Sequence, residues 1–292
     1  MMHKDRIPFI NLQYGTLSVK DGTLSFFDKE HGEQGLPVGQ FSMINLEPGT
    51  SVTHAAVELC AKHGTLLNWI GEGGVRMYAS GLALNSRTDR LWKQMEMAFN
   101  KNKRLSVAKR MYQYRFGTYA RLTSINAENL MLMEGQNVKK IYKSLAEKYN
   151  VEWNGRWFDN RDSINLALSV ANSCIYGIAH TAILACGYSP ALGFIHGRTP
   201  QSFVYDVADL VKFQTVTPIA FQVVSENVVN TDREVRYRCR DLFKEKKFIH
   251  NLIPVMDKCI GFIEDEDIEA NRVLPKFEFW DYANRITNES EC

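Results

Sequence analysis

The chain has 292 residues, of which 45% are hydrophobic and 23% charged, with a formal net charge of +2. This length suits one large domain or two ordinary ones, and so mild a net charge excludes an argument for nucleic-acid binding from the overall balance alone. The six cysteines show no C-x-x-C spacing, which argues against a zinc site or a disulfide framework and favours small buried thiols in a reducing compartment.

The first 82 residues predict a small β-rich domain. Short runs of β-forming residues alternate with turn signals, and Asp21-Gly22 is typical of a two-residue hairpin. One helix is expected in this part, with Thr50 or Ser51 as N-cap and Gly64 at its end. Gly71-Glu72-Gly73-Gly74 is interpreted as a hairpin turn, because a strand follows it where a phosphate-binding loop would lead into a helix.

Helical periodicity dominates the rest of the chain. Residues 83–90 are the predicted linker, 91–280 the predicted α-helical catalytic domain and 281–292 a tail. Residues 163–197 contain no Asp, Glu, Lys or Arg, but polar residues interrupt them, so a buried core helix is expected in place of a membrane span. The fold class predicted is therefore α+β, with a small β-rich domain followed by a larger all-α domain that carries a candidate metal site. No signal-peptide core begins the chain, so a cytoplasmic protein is expected.

A histidine in a Gly/Pro loop precedes a helix that carries two aspartates. From Ser202 this helix is apolar almost all round, and only a narrow stripe is polar: Tyr205, Asp206, Asp209 and Lys212. Both carboxylates therefore point the same way, and His196 lies one loop upstream, where it can fold back beside them. Oxygen and imidazole ligands suit Mg²⁺ or Mn²⁺. The alternative is that these polar side chains form an ordinary solvent-exposed strip along the helix.

A third carboxylate lies on the apolar face of a predicted helix over residues 126–150. Glu134 shares that face with Leu130, Val138, Ile141 and Leu145. A carboxylate in such a place is destabilising unless it is paired, hydrogen-bonded or bound to a metal. Glu134 is therefore either a member of one metal site with the histidine and the two aspartates, or a buried residue that caps a neighbouring helix or pairs with an arginine.

Local charge favours DNA binding where the net charge does not. Residues 97–127 contain no Asp or Glu, while basic and aromatic side chains are interleaved along them, a composition that attracts phosphates. A solvated helix face over core aromatics is the alternative. A second basic cluster, at 233–247, is mixed with acidic residues, so ion pairs within its helix can neutralise much of it.

Several runs of this chain together resemble one known family. They are Gln13-Tyr14-Gly15, residues 46–81, 133–142 and 153–159, and residues 194–213 with the sequence FIHGRTPQSFVYDVADLVKF. In one colinear order, the chain is similar to the CRISPR-associated integrase that inserts new spacers, and more narrowly to the version found with type I-E systems. The resemblance implies Glu134, His196 and Asp209 as metal ligands, with Asp206 close by, either behind these ligands or at a second ion.

The resemblance also implies a homodimer that binds a small ferredoxin-like partner protein, captures a short double-stranded DNA fragment and joins its 3′ ends into CRISPR repeat DNA. The expected chemistry is transesterification by a DNA 3′-hydroxyl at a phosphodiester polarised by Mg²⁺ or Mn²⁺. Neither Tyr205 nor Ser202 has a dedicated base, so no covalent protein intermediate is expected. Two alternatives stay open: a metal-dependent nuclease of branched DNA that does not integrate, and a DNA-binding scaffold without activity.

Six residues are predicted to contact DNA: Tyr14, Arg76, Arg156, Tyr176, Lys212 and Arg236. The resemblance suggests that Tyr14 stacks on the terminal base pair and that Arg236 contacts DNA, while Lys212 would steady a phosphate. Ser51 and Glu58 stand where the resemblance leads us to expect arginines, so DNA contact by the first helix is left open. Phe158 stands where a tyrosine is expected, so a hydroxyl there is not required.

Overall fold

The computed structural model describes residues 6–7, 9–71, 77–81, 88–116, 127–157, 162–197 and 199–262. Among these residues, the strands end at Ser80 and the helices of the second part begin at Asp89. This order confirms the predicted α+β class, with a β-sheet region followed by a larger helical region. Most of the predicted linker and all of the predicted tail lie outside the described residues, so the domain boundaries stay predictions.

The described strands form two four-stranded sheets. In spatial order, the first sheet contains β1 (Ile10–Leu12), β5 (Met43–Leu46), β7 (Leu66–Ile70) and β8 (Met77–Ser80). Its first three strands are parallel, and β8 is antiparallel to β7. The second sheet contains β4 (Gly32–Leu36), β3 (Thr23–Asp28), β2 (Gly15–Lys20) and β6 (Ser51–Val52). The antiparallel pairing of β7 with β8 agrees with the predicted hairpin, although residues 72–76 lie outside the described part.

The turn between β2 and β3 confirms the predicted hairpin at Asp21-Gly22. Lys20 pairs with Thr23 across it, and Asp21 and Gly22 have φ values of 51° and 74°. A two-residue turn with two positive φ angles matches the right-handed twist of the strands that it joins.

The predicted N-cap of the first helix is wrong. Helix α1 (His54–His63) begins after Thr53, whose side chain accepts a hydrogen bond from the Ala56 amide at 3.3 Å. Ser51 instead belongs to β6, where it pairs with Thr16 of β2. The chain is therefore still extended where the helix was expected to begin. The predicted end is right, because Gly64 closes α1 in the left-handed conformation.

A row of polar side chains, the amide row, crosses the first sheet. The Ser80 hydroxyl donates to Asn68 at 2.6 Å, and the Asn68 amide donates to Asn45 at 3.3 Å. Asn45 donates in turn to Asn11 at 2.8 Å, and Asn11 donates to the Glu47 carboxylate at 2.9 Å. Ser80, Asn68, Asn45 and Asn11 occupy paired register positions, so side-chain hydrogen bonds link each strand of this sheet to the next.

The helical region contains α2 (Asp89–Phe99), α3 (Lys101–Phe116), α4 (Ala127–Tyr149), α5 (Ser163–Cys186), α6 (Ser202–Asp209), α7 (Val216–Ser225), α8 (Thr231–Glu245) and α9 (Phe248–Ile260). The helix predicted over 126–150 is α4. The helix that begins at Ser202 ends at Asp209, earlier than its polar stripe indicated, and a short 3₁₀ turn follows at Lys212–Gln214.

Helix α5 is the centre of this region and packs against α6, α7, α8 and α9. It is capped at its start by Asp162 and ends at Gly187, which has a φ of 81°. It is the one helix within the described residues that is long and apolar enough to cross a membrane, and most of that stretch is buried in the fold. The buried core helix predicted from residues 163–197 is therefore what the structure contains.

The sheets and the helices share part of one core. The ring of Phe9 meets that of Phe243 edge-on at 6.3 Å between centroids, and the Thr181 hydroxyl lies 3.0 Å from the Met43 sulfur. The first sheet thereby packs against α5 and α8.

Candidate active site

Both aspartates of α6 are buried. Asp206 is 0% exposed and Asp209 is 5% exposed, because the helix packs against α5 on one side and faces the loop before it on the other. A solvated polar strip, the alternative left open by the sequence, is therefore excluded. The two side chains also make different contacts, although they leave the helix in similar directions.

Asp206 holds the loop that precedes α6. One carboxylate oxygen accepts hydrogen bonds from the amides of Phe194 at 2.5 Å and Ile195 at 3.2 Å, and the other accepts from the His196 amide at 2.8 Å. The second oxygen also lies 2.8 Å from His196 Nδ1. Asp206 therefore fixes both the loop backbone and the imidazole.

The pKa of His196 also reflects the charges of the other two carboxylates. Its pKa is raised, first by the hydrogen bond to Asp206 and further by the negative charges of Asp206, Asp209 and Glu134, while burial acts in the opposite direction. Because Nδ1 is held by Asp206, Nε2 is the ring nitrogen available to a ligand. The structure thus puts Asp206 in direct contact with His196, while Asp209 and Glu134 act on the imidazole through their charges.

The loop between α5 and α6, which contains His196 and is called the histidine loop, is also held by residues that the sequence analysis did not identify. The fully buried Gln94 amide donates to the carbonyls of Ser189 and Leu192, both at 2.9 Å, and accepts from the Ser189 amide at 2.7 Å. Arg104 donates to the Phe194 carbonyl at 2.9 Å. Gln94 is a polar residue on the buried face of α2, and that conflict was the signal that could have indicated it.

Glu134 and Asp209 are joined by Arg115. Its Nη1 lies 2.5 Å from Glu134 Oε1 and 3.5 Å from Asp209 Oδ2. Tyr112 donates to the second Glu134 oxygen at 2.7 Å, and burial together with this bond raises the Tyr112 pKa. Pairing with an arginine was one of the alternatives given for Glu134, and the structure shows that pairing. Arg115 and Tyr112 themselves were interpreted only as part of a phosphate-attracting run.

The second oxygen of Asp209 is held by Lys212, whose Nζ lies 2.5 Å away. Two cationic side chains, Arg115 and Lys212, thus balance the two carboxylates Glu134 and Asp209. Within the part of the chain that the structure describes, no group of three His, Cys, Asp or Glu side chains is arranged to hold a metal ion. The oxygens of Glu134 and Asp209 are instead engaged by Arg115, Lys212 and the Tyr112 hydroxyl.

The residues nevertheless fit a divalent ion in their chemistry. Two carboxylates and one imidazole nitrogen form a donor set suited to Mg²⁺ or Mn²⁺, and Asp206 orients the imidazole as carboxylates behind metal-bound histidines do. The same carboxylates already attract two positive charges. Glu134, His196 and Asp209 are accordingly the residues that could hold such an ion.

Tyr14, the predicted DNA-end residue, protrudes from the β-sheet region. Its side chain is 64% exposed, and its backbone has a φ of 54°, which is uncommon for a residue with a large side chain. Gly49 lies directly beneath the ring, where an added Cβ would come within 2.6 Å of Tyr14 Cδ1. The ring is therefore supported from below and open to solvent above.

The other residues predicted to contact DNA lie in three different environments. Arg156 is half-buried and donates to Asn165 at 2.8 Å and to Ser169 at 3.0 Å. Tyr176 packs edge-on against Tyr205 at 5.0 Å, beside the site, and burial raises its pKa. Arg236 is mostly buried and pairs with Asp232 at 3.3 Å. Arg76 and Phe158 lie outside the described residues.

Several arginines of the two basic clusters contact other parts of the fold. Besides Arg104 and Arg115, Arg110 turns inward and donates to the Cys259 carbonyl at 2.7 Å. In the second cluster, Arg238 pairs with both Glu226 and Glu234. The predicted neutralisation of that cluster by ion pairs is therefore present. On α1, Glu58 pairs with Lys62.

Comparison with known proteins gives one consistent family. The family model described as CRISPR associated protein Cas1 matches residues 9–124 and 117–245. The CRISPR-associated endonuclease Cas1 of Escherichia coli strain K12 is 46% identical over 263 residues, which cover 88% of this chain and 86% of the relative. The corresponding protein of Geobacter sulfurreducens is 44% identical with the same coverage. Among solved structures, the TtCas1–DNA complex has a TM-score of 0.78 and 32% identity, and the match covers 88% of this chain and 93% of that one.

Proposed function

The chain belongs to the Cas1 family of CRISPR-associated proteins, and from this premise we propose that it is a metal-dependent DNA integrase and endonuclease of CRISPR adaptation. The resemblance found in the sequence is confirmed, including the type I-E version to which the Escherichia coli relative belongs. The proposed reaction joins the 3′-hydroxyl ends of short DNA fragments into the CRISPR repeat array.

One observation carries this proposal. Asp206 holds His196 through Nδ1 at 2.8 Å, and this pair lies within electrostatic reach of two further carboxylates, Glu134 and Asp209. A buried carboxylate that orients an imidazole beside acidic side chains is typical of a metal-dependent site for phosphoryl transfer. The relatives are called endonucleases, and a matching structure is a DNA complex, so a phosphodiester is the fitting substrate.

Glu134, His196 and Asp209 would hold the divalent ion, Mg²⁺ or Mn²⁺. When bound there, such an ion polarises the phosphodiester and offsets the charge that develops on its oxygens. Asp206 keeps His196 in one tautomer, with the proton on Nδ1 and Nε2 free to bind. Lys212, which is 13% exposed, lies where it can contact a phosphate oxygen at the edge of the site.

The chain's own hydroxyl groups do not act as nucleophiles in this proposal. Ser202 is fully buried and donates to the Thr199 carbonyl at 2.8 Å, and the Tyr205 hydroxyl contacts Gln201 at 3.1 Å. Neither is paired with a base in these contacts, so activation as in covalent catalysis is not supported. The attacking group is instead a DNA 3′-hydroxyl for integration, or water for cleavage.

The DNA and protein partners follow from the same family membership. We propose a homodimer that works with a small ferredoxin-like CRISPR adaptation protein in the cytoplasm. It binds double-stranded fragments with free 3′ ends, and Tyr14 stacks on their terminal base pair. Arg76, Arg156, Tyr176 and Arg236 are the further proposed DNA contacts. Of these, Arg156 and Arg236 are already held by Asn165 and Asp232, so they would have to leave these partners to meet a phosphate.

A joining assay tests this function. The protein is incubated with its partner, a supercoiled plasmid carrying CRISPR repeats and a short duplex in Mg²⁺ or Mn²⁺, and joined products are counted. Duplexes with a 3′-hydroxyl should be joined, while matched duplexes ending in 3′-deoxyribose without the hydroxyl should not. Asp209→Asn should abolish joining. Cleavage of branched DNA without joining would favour the nuclease alternative, and DNA binding without either reaction would favour the scaffold.

A further inference from the structure

The contacts of Arg115 carry an inference that the family comparison does not supply. Its side chain is 3% exposed and bridges Glu134 and Asp209. Its guanidinium lies over the rings of Phe116 and Phe213, at 4.8 Å and 4.9 Å from their centroids. An arginine enclosed in this way is not a mobile surface charge, because two aromatic faces hold its planar group in the site.

The charges around Arg115 are balanced before any ion is added. Glu134 accepts from Arg115 and Tyr112, while Asp209 is held by Arg115 and Lys212. Two carboxylates brought this close together repel each other unless a cation lies between them. Arg115 supplies that cation from within the fold and uses one oxygen of each carboxylate to do so.

A divalent ion and Arg115 therefore compete for the same oxygens. An ion bound by Glu134 and Asp209 would bring two further positive charges next to a guanidinium that has little access to water. Like charges in a poorly solvated place repel strongly, so the guanidinium must give up at least one of its contacts when the ion binds. The loss of those contacts opposes metal binding.

We propose that Arg115 is the internal counter-ion of the metal site: it keeps Glu134 and Asp209 together in the absence of a divalent ion, and it lowers the affinity of the site for that ion by competing for both carboxylates. Arg115 is thus a positioning residue that acts through the ligands. This inference rests on the proposed function, since it takes Glu134 and Asp209 to be metal ligands.

The test compares four variants of the full-length protein in Mn²⁺ titrations followed by calorimetry, with melting temperatures measured in the absence of metal. Arg115→Met keeps the length and apolar contacts of the side chain but removes its charge. We expect a lower melting temperature without metal and an Mn²⁺ dissociation constant at least about tenfold lower than that of the wild type, within the usual range of coupling between two sites. Arg115→Lys keeps the charge with a shorter reach, so its affinity should lie between the two.

Arg110→Met is the matched control. Arg110 lies on the same helix and is partly buried, and it donates to the Ser106 hydroxyl and the Cys259 carbonyl. Its replacement should lower the melting temperature without metal and leave the Mn²⁺ affinity within about twofold of the wild type, because Arg110 shares no ion pair with Glu134 or Asp209 in the contacts described. A purely structural role of Arg115 would give the same pattern in both methionine variants.

The outcomes separate this inference from the proposed function. Asp209→Asn should remove saturable Mn²⁺ binding. Suppose that Asp209→Asn loses saturable Mn²⁺ binding but Arg115→Met binds Mn²⁺ as the wild type does or more weakly. The inference is then overturned while the metal site stands. If Arg115→Met does not fold, Arg115→Lys decides, and an affinity equal to that of the wild type overturns the inference. If Asp209→Asn binds Mn²⁺ like the wild type, the proposed metal site is wrong and the inference falls with it.

Discussion

Replacing Asp206 by asparagine tests how the histidine is held. The carboxylate now accepts hydrogen bonds from three backbone amides, and the His196 imidazole lies against one of its oxygens. An asparagine keeps one oxygen, so its NH₂ group must face either the amides of Phe194 and Ile195 or the two donors of His196. Two buried or partly buried donors then lose their acceptor.

At about 1–3 kcal/mol for each unsatisfied buried group, the free energy of unfolding should fall by roughly 2–6 kcal/mol. The His196 pKa should also fall toward its ordinary value, because the hydrogen bond to Asp206 is the largest cause of its rise. Joining should slow by about ten- to a hundredfold, as is usual when a residue behind a metal ligand is lost. This effect is smaller than the complete loss expected for Asp209→Asn.

Urea unfolding, an NMR titration of His196 and the joining assay measure the three effects in one protein. Asp241→Asn is a suitable control, since that carboxylate is 64% exposed and pairs with its neighbour Arg240. Its stability should stay within about 0.5 kcal/mol of the wild type. A variant at Asp206 with wild-type stability, or one that is destabilised but joins at the wild-type rate, would refute the role of this carboxylate in positioning the loop.

Three further predictions concern residues outside the ligand set. Tyr14→Ala should change stability by less than about 1 kcal/mol, because the ring is 64% exposed, while the preference for splayed over blunt DNA ends falls; an unchanged ratio of the two affinities would remove Tyr14 from the DNA end. Burial lowers the His180 pKa to about 4, below its ordinary value of 6.5. The unfolded chain therefore takes up a proton on His180 at a higher pH than the folded protein does, and about 3 kcal/mol of stability that is present above pH 6.5 is lost as the pH falls toward 4. Urea unfolding between pH 4 and 7 should show a flatter profile for His180→Asn, and equal slopes would contradict this. Gln94→Met leaves two carbonyls and one amide of the histidine loop without their partner, so the free energy of unfolding should fall by at least about 3 kcal/mol and joining should be slower. Normal joining would mean that the loop is held without Gln94.

Where a residue conflicts with its local pattern, the sequence was informative about the site. Glu134 on an apolar helix face, and two aspartates on an otherwise apolar helix, each indicated a carboxylate with a special partner, because burial of an unpaired charge is costly. The long helices α4 and α5 were also predictable, since their apolar periodicity extends over many turns. These inferences need only neighbours along the chain.

The partners of those carboxylates were not predictable in the same way. Arg115 and Glu134 are 19 residues apart, and Gln94 lies 98 residues before Leu192, to whose carbonyl it donates. No periodicity connects such positions, so only the packing of α2, α3 and α4 shows which arginine meets which carboxylate. Strand β4 likewise depends on its partner strand more than on its own residues. Its sequence, GEQGL, has little tendency to form a strand, and pairing with β3 overrides that weak preference.

The amide row links the strands of the first sheet, and its hydrogen bonds also share one direction. Asn68 donates to Asn45, Asn45 donates to Asn11 in β1, and Asn11 donates to Glu47, so the hydrogen bonds of the row all run in one order that ends at Glu47. Glu47 is followed by the turn whose Gly49 lies under the Tyr14 ring. A single flipped amide would place two donors or two acceptors face to face, so the orientation of every member depends on that of the others. Ser80, on the opposite edge strand, thus helps to set the polarity of a chain of hydrogen bonds that ends at Glu47, two residues before the glycine beneath the aromatic ring proposed to meet the DNA end.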